Sequence, residues 1–180
     1  MGRKHNTFVE SSDRKPQDHG KTPADALTVV LVHPRIPQNT GTIARMCAAT
    51  QTRLHLVRPF FEITDAKLKR AGLDYWPLVD VSYFESLDHW FETQVPARFA
   101  PPQIWYVEIG GSKIYSDISF SPGCAIFFGD EQDGIPSSLL EKFPDQHLRI
   151  PQVNVRSLNL ATSASIVLYE ALRQLNFPRL

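Results

Sequence analysis

Cysteine is nearly absent from the chain: Cys47 and Cys124 are the only two among 180 residues. One lies in a helical pattern and the other opens an apolar run, so both read as small buried residues, not as a disulfide or a metal pair. The histidines His5, His19, His33, His55, His89 and His147 are scattered singly without ligand spacing, so no metal is expected. Neither sign of charge is in excess. With 19 Lys+Arg against 19 Asp+Glu the formal charge is zero, which gives no support to non-specific adhesion to nucleic acid or membrane. Any RNA contact must be local. No run approaches the ~18 consecutive apolar residues of a membrane span, and the N-terminus lacks the apolar centre of a signal peptide. A cytoplasmic protein is the expectation.

Several catalytic signatures are also missing. Gly129 to Gly134 has the glycine spacing of a phosphate loop, but no Lys-Ser/Thr follows, which argues against Walker-type nucleotide binding. Asp130, Glu131 and Asp133 lack the twelve-residue spacing and terminal glutamate of a calcium loop. Ser157 has no GxSxG context and no evident paired base, so hydrolytic serine chemistry is not expected. What remains is a ligand held by backbone groups beside an arginine.

Residues 1–25 are polar, mixed in charge and without apolar periodicity, the composition of a disordered arm. Residues 26–180 read as a single domain. Leu27 to Val32 is a continuous apolar run, the pattern of a parallel strand covered on both faces. It ends at His33-Pro-Arg-Ile-Pro37, where two prolines predict extended chain, followed by a helix with Asn39 or Thr40 at its N-cap. Gly41 and Arg45 lie one turn apart on that helix. They read either as space for a ligand beside a charge or as a packing glycine and a surface arginine.

Further strands are predicted at Leu54 to Val57, Val79 to Tyr83, Ile104 to Ile109, Cys124 to Phe128 and Leu148 to Pro151, and a helix from about Glu85 to Gln94. The stretch from Pro96 to Pro102 is a predicted loop. Ala66 to Gly72 predicts a short basic helix, whose Lys67, Lys69 and Arg70 form either a solvated face or, with Tyr75 and Trp76, an RNA contact. Ser157 to Leu175 is the longest helix candidate, with Leu160, Ala164, Val167, Leu168, Ala171, Leu172 and Leu175 along one stripe. The alternation of strand and helix argues for a mostly parallel α/β sheet with helices on both faces. Such sheets bind ligands at one edge, outside the ends of the strands.

Four stretches carry a family resemblance: Asn39-Thr-Gly-Thr-Ile-Ala-Arg45, Ala71-Gly-Leu-Asp-Tyr-Trp76, Phe128-Gly-Asp-Glu-Gln-Asp-Gly-Ile-Pro136, and Ile150-Pro with Arg156-Ser-Leu-Asn-Leu160. In order and spacing they resemble the motifs of the SPOUT-class (SpoU-type) RNA ribose methyltransferases. The chain looks most similar to the small tRNA wobble-nucleotide 2′-O-methyltransferases. The resemblance implies a deep C-terminal trefoil knot, an S-adenosylmethionine site within it, a homodimer and a tRNA substrate. It also implies that Val107, Gly129, Glu131, Gly134, Ile150, Ser157 and Leu158 bind the cofactor. Arg45, Asn39 and Asn159 are the implied catalytic residues, with Arg45, Lys67, Lys69 and Arg70 on the RNA. Arg35 stands where relatives commonly carry an acidic residue. The same chemistry on another tRNA or rRNA nucleotide, and a non-catalytic RNA-binding module of the same fold, are the competing readings.

Overall fold

The computed structural model describes residues 22–61, 75–95 and 103–178. The arm up to residue 21, the basic helix with Lys67, Lys69 and Arg70, and the loop 96–102 lie outside the described residues. Among the described residues, seven strands form one sheet: β1 (Thr28–Val32), β2 (Arg53–Val57), β3 (Val81–Phe84), β4 (Ile104–Val107), β5 (Lys113–Ile114), β6 (Ala125–Phe128) and β7 (His147–Arg149). Their order is β3-β2-β1-β6-β4-β7-β5, and every pairing is parallel. Described helices are α1 (Pro37–Thr50), α2 (Leu87–Gln94), α3 (Ser137–Lys142) and α4 (Leu160–Gln174).

Alternation along β1 shows why its sequence is apolar from Val29 to Val32, after a buried Thr28. Val29 and Leu31 pack in one core with Ile43 and Cys47 of α1 and Ala164, Val167 and Leu168 of α4. Val30 and Val32 enter a second core on the opposite face with Trp90 of α2 and Leu139 of α3. Helices therefore cover both faces, and a strand buried on both sides has no polar alternation to show. Both cysteines are buried and unbridged, and burial pushes the Cys124 thiol up to about 12.

The structure corrects three local expectations. Helix α1 starts at Pro37, with Ile36 at the N-cap, not Asn39 or Thr40. Proline is well suited to a first helical turn, because the N–H it lacks would have no intrahelical partner. Gly41 is buried while Arg45 is exposed, so the glycine lies on the packed side of α1 and opens no space beside the guanidinium. β4 stops at Val107, two residues before the predicted end, leaving Ile109 54% exposed. At the other end of the sheet, the buried Arg53 donates to the carbonyls of Thr22, Pro23 and Ala26, which ties residues 22–26 to the domain.

A cleft at the C-terminal edge of the sheet

Parallel strands release their following loops at the same edge. Because β1, β6, β4 and β7 are neighbours, the loops after them converge although they are far apart in sequence. Together they enclose a cleft of about 290 Å³. All seven residues expected to hold a cofactor, Val107, Gly129, Glu131, Gly134, Ile150, Ser157 and Leu158, line it, as do Asn39 and Asn159. Arg45 does not. It lies exposed on α1 with its guanidinium 4.6 Å from the centre of the Tyr75 ring. Tyr169 is 45% exposed on α4 and does not line the cleft.

One side-chain relay joins the first turn of α1, the loop after β6 and the start of α4. Asn39 donates from Nδ2 to Glu131 Oε1 at 2.8 Å, and its Oδ1 accepts from Asn159 Nδ2 at 2.9 Å. Asn159 Oδ1 in turn caps α4 by accepting from the N–H groups of Ala161 and Thr162 at 2.9 and 3.2 Å. Glu131 also accepts from the N–H groups of Arg35 and Ile36 at 3.0 and 3.2 Å. Its carboxylate therefore compensates the positive start of α1 as well as facing the cleft. An Asn159→Ala substitution removes the cap and breaks the relay together. The expected cost is about 1 kcal/mol, read as a lower urea midpoint at an unchanged slope.

The loop after β6 is built tightly around its two glycines. A Cβ on Gly129 would lie 2.0 Å from the carbonyl carbon of Gly134 and 2.2 Å from the nitrogen of Ile135. Gly134 has a φ of +71°, and a Cβ there would meet the Glu108 carboxylate at 2.6 Å. Asp130 closes the turn, with Oδ1 accepting from the N–H groups of Gln132 and Asp133, both at 2.7 Å. Arg35 clamps this loop from outside, its Nη2 lying 3.2 Å from Asp130 and 2.9 Å from Asp133. Burial alone would raise the Asp130 carboxyl, but these two N–H donors and the Arg35 guanidinium outweigh it and hold the group below the usual aspartate range. The unusual cation at position 35 thus has acidic partners of its own.

Glu108 and Arg156, which the sequence did not single out as site residues, also line the cleft. Glu108 accepts from the N–H of Ile135, bracing the β6 loop against the β4 loop. Arg156 donates to the carbonyl of Gln132 at 3.3 Å. Glu108 follows Val107, which was expected to touch the cofactor, but nothing in its neighbours signals that its partner lies 27 residues on.

Such an edge cleft, closed by glycine-bearing loops and by the turn into the last helix, defines a ligand-binding α/β fold. Residues 26–169 match the SpoU rRNA Methylase family, and the chain belongs to it. A tRNA (cytidine(34)-2′-O)-methyltransferase of Saccharophagus degradans is 42% identical over 152 residues, covering 83% of this chain and 96% of that protein. A Geobacillus stearothermophilus protein that carries this name provisionally is 49% identical over 157 residues, covering 84% and 97%. A solved structure concerned with the 2-OH methylation of C/U34 on tRNA superposes with a TM-score of 0.77 at 40% identity, over 86% of this chain and 99% of that one. The AdoMet-bound rRNA methyltransferase of Sinorhizobium meliloti superposes at 0.69 with 29% identity, over 83% of this chain and 57% of that one.

Proposed function

We propose that the protein transfers a methyl group from S-adenosylmethionine to the ribose 2′-oxygen of the wobble nucleotide of tRNA, cytidine or a 5-substituted uridine. The observation that carries this reading is the cleft itself, where the seven expected cofactor residues meet Asn39 and Asn159 at one edge of the sheet. The residues present fit the cofactor. Val107, Ile150, Leu158 and Leu160 offer an apolar wall for a flat adenine, while Glu108, Glu131 and Asn39 offer polar groups for a charged amino-acid end. When bound, the cofactor supplies a methyl group already activated on a sulfonium.

The chain's own task is then alignment and management of charge at the 2′-oxygen. A guanidinium remains protonated near neutral pH, so Arg45 acts by holding phosphate or stabilising developing alkoxide charge, not as a base. Asn39 and Asn159 fix the loops that frame the hydroxyl. We assign Lys67, Lys69 and Arg70 to the RNA backbone. A homodimer is part of the proposal, supported by the exposed apolar residues Ile36, Val153 and Val155, 42%, 80% and 57% exposed, around the cleft; a cytoplasmic location is proposed with it. So is a knotted C-terminus, supported by β7 lying between β4 and β5 before the chain doubles back through residues 150–159 to reach α4.

The test uses tRNA from a strain lacking the wobble methyl group and labelled S-adenosylmethionine, followed by alkaline hydrolysis. A methylated 2′-oxygen cannot attack the neighbouring phosphate, so the expected label appears in an alkali-resistant dinucleotide. Label in mononucleotides would mean base methylation, and no label with demonstrated cofactor binding would favour the binding-module reading.

A further inference from the structure

β1 and β2 end alike. Each is followed by a non-glycine residue in the left-handed region and then a proline: His33, φ 53°, before Pro34, and Arg58, φ 42°, before Pro59. Such conformations are costly for residues with a Cβ and collect at working edges of proteins. Here the N–H groups of these residues are held by the next strand over, His33 by Val57 O at 2.9 Å and Arg58 by Phe84 O at 2.8 Å. The paired kinks turn the two loops toward one another, and Phe60 N–H closes onto Pro34 O at 3.0 Å.

The outcome is an aromatic ring placed beside the cleft and left open. Phe60 is 56% exposed, although burial would be the favourable state of a phenyl ring. The Arg35 guanidinium carbon sits 4.4 Å from its ring centre, and His33 meets it edge-on at 5.8 Å. Asp130 and Asp133 pin Arg35 by the contacts given above, and the next residue, Ile36, lines the cleft. Arg58 is exposed and forms no ion pair among the described residues.

We propose that Phe60, backed by the pinned Arg35, is a stacking surface for a nucleobase of the RNA substrate, with Arg58 holding an adjacent phosphate. The inference rests on the proposed function and names the residues through which that site grips its RNA. Every base has a π-face, and stacking on an aromatic ring is strong enough to be seen in single substitutions. A cation behind the ring polarises it and fixes its plane. Both acidic partners of Arg35 belong to the loop after β6, so the cation behind the ring is held by a loop that also lines the cleft.

The experiment compares wild type, Phe60→Ala and Phe60→Trp for binding of unmodified tRNA without cofactor and for KM and kcat in methyl transfer. Phe60→Ala is expected to raise the tRNA Kd and KM by about tenfold, with cofactor affinity and kcat near wild type. Phe60→Trp restores binding. Unchanged tRNA binding in Phe60→Ala overturns the proposal, and so does weakened binding that tryptophan does not restore, or a shift in oligomeric state that accounts for the loss. If wild type binds tRNA but transfers no methyl, the proposed function fails while the binding comparison still decides the role of Phe60.

Discussion

Replacing Arg45 by alanine is expected to lower methyl transfer by about 10²- to 10³-fold while leaving the affinity for S-adenosylmethionine unchanged. The unchanged affinity follows from geometry, and the lost rate from the role proposed for Arg45 at phosphate or developing alkoxide charge. Arg45 is outside the cleft, on the exposed side of α1, so its loss removes no cofactor contact. Its guanidinium is held against Tyr75, which restricts a long side chain and presents the charge in a fixed place. Arg45→Lys keeps the charge but not the planar stacked group, so it is expected to recover only part of the rate. Single-turnover rates with saturating cofactor, together with calorimetric titration of the cofactor alone, separate the two quantities. A large loss of cofactor affinity in Arg45→Ala would show that the assignment to the reacting oxygen is wrong.

Gly129→Ala is expected to do the reverse. The added methyl would meet the main chain of Gly134 and Ile135, which cannot turn aside as a flexible side chain can. The loop from 129 to 135 must shift, and with it Glu131 and the relay to Asn39. Overpacking of this kind costs about 1–3 kcal/mol, equivalent to a loss of about 5- to 150-fold in cofactor affinity if it falls on the bound loop. Gly110→Ala is the matched control, because a Cβ at Gly110 has nothing within 4 Å. Titration of both variants with S-adenosylmethionine checks this, and equal affinity for the two would contradict the account of the loop.

Six of the seven described strands were legible because a parallel strand buried on both faces is nearly continuous in apolar residues, as in Leu27 to Val32 with its single Thr28 and in Cys124 to Phe128; β5, only Lys113–Ile114, is too short to carry such a pattern. The residues lining the cleft were legible through the family motifs, whose glycines and asparagines sit in the loops the sheet brings together. Strand order was not legible, since the insertion of β6 between β1 and β4 depends on pairings far apart in sequence. The relay was hidden for the same reason, its two links spanning 92 and 120 residues. Pro37 misled because a proline that ends one element can equally begin the next. The partners of Arg35 were hidden too, since Asp130 and Asp133 lie 95 and 98 residues away in sequence. Short α3 offers too few turns for a periodic signal.

The most direct measurement of the central claim is mass-spectrometric mapping of the labelled nucleotide after transfer to tRNA lacking wobble methylation. The account predicts a single 2′-O-methylribose at nucleotide 34, on cytidine or a modified uridine. Label at a different ribose would contradict the assigned substrate while leaving the chemistry of the cleft in place.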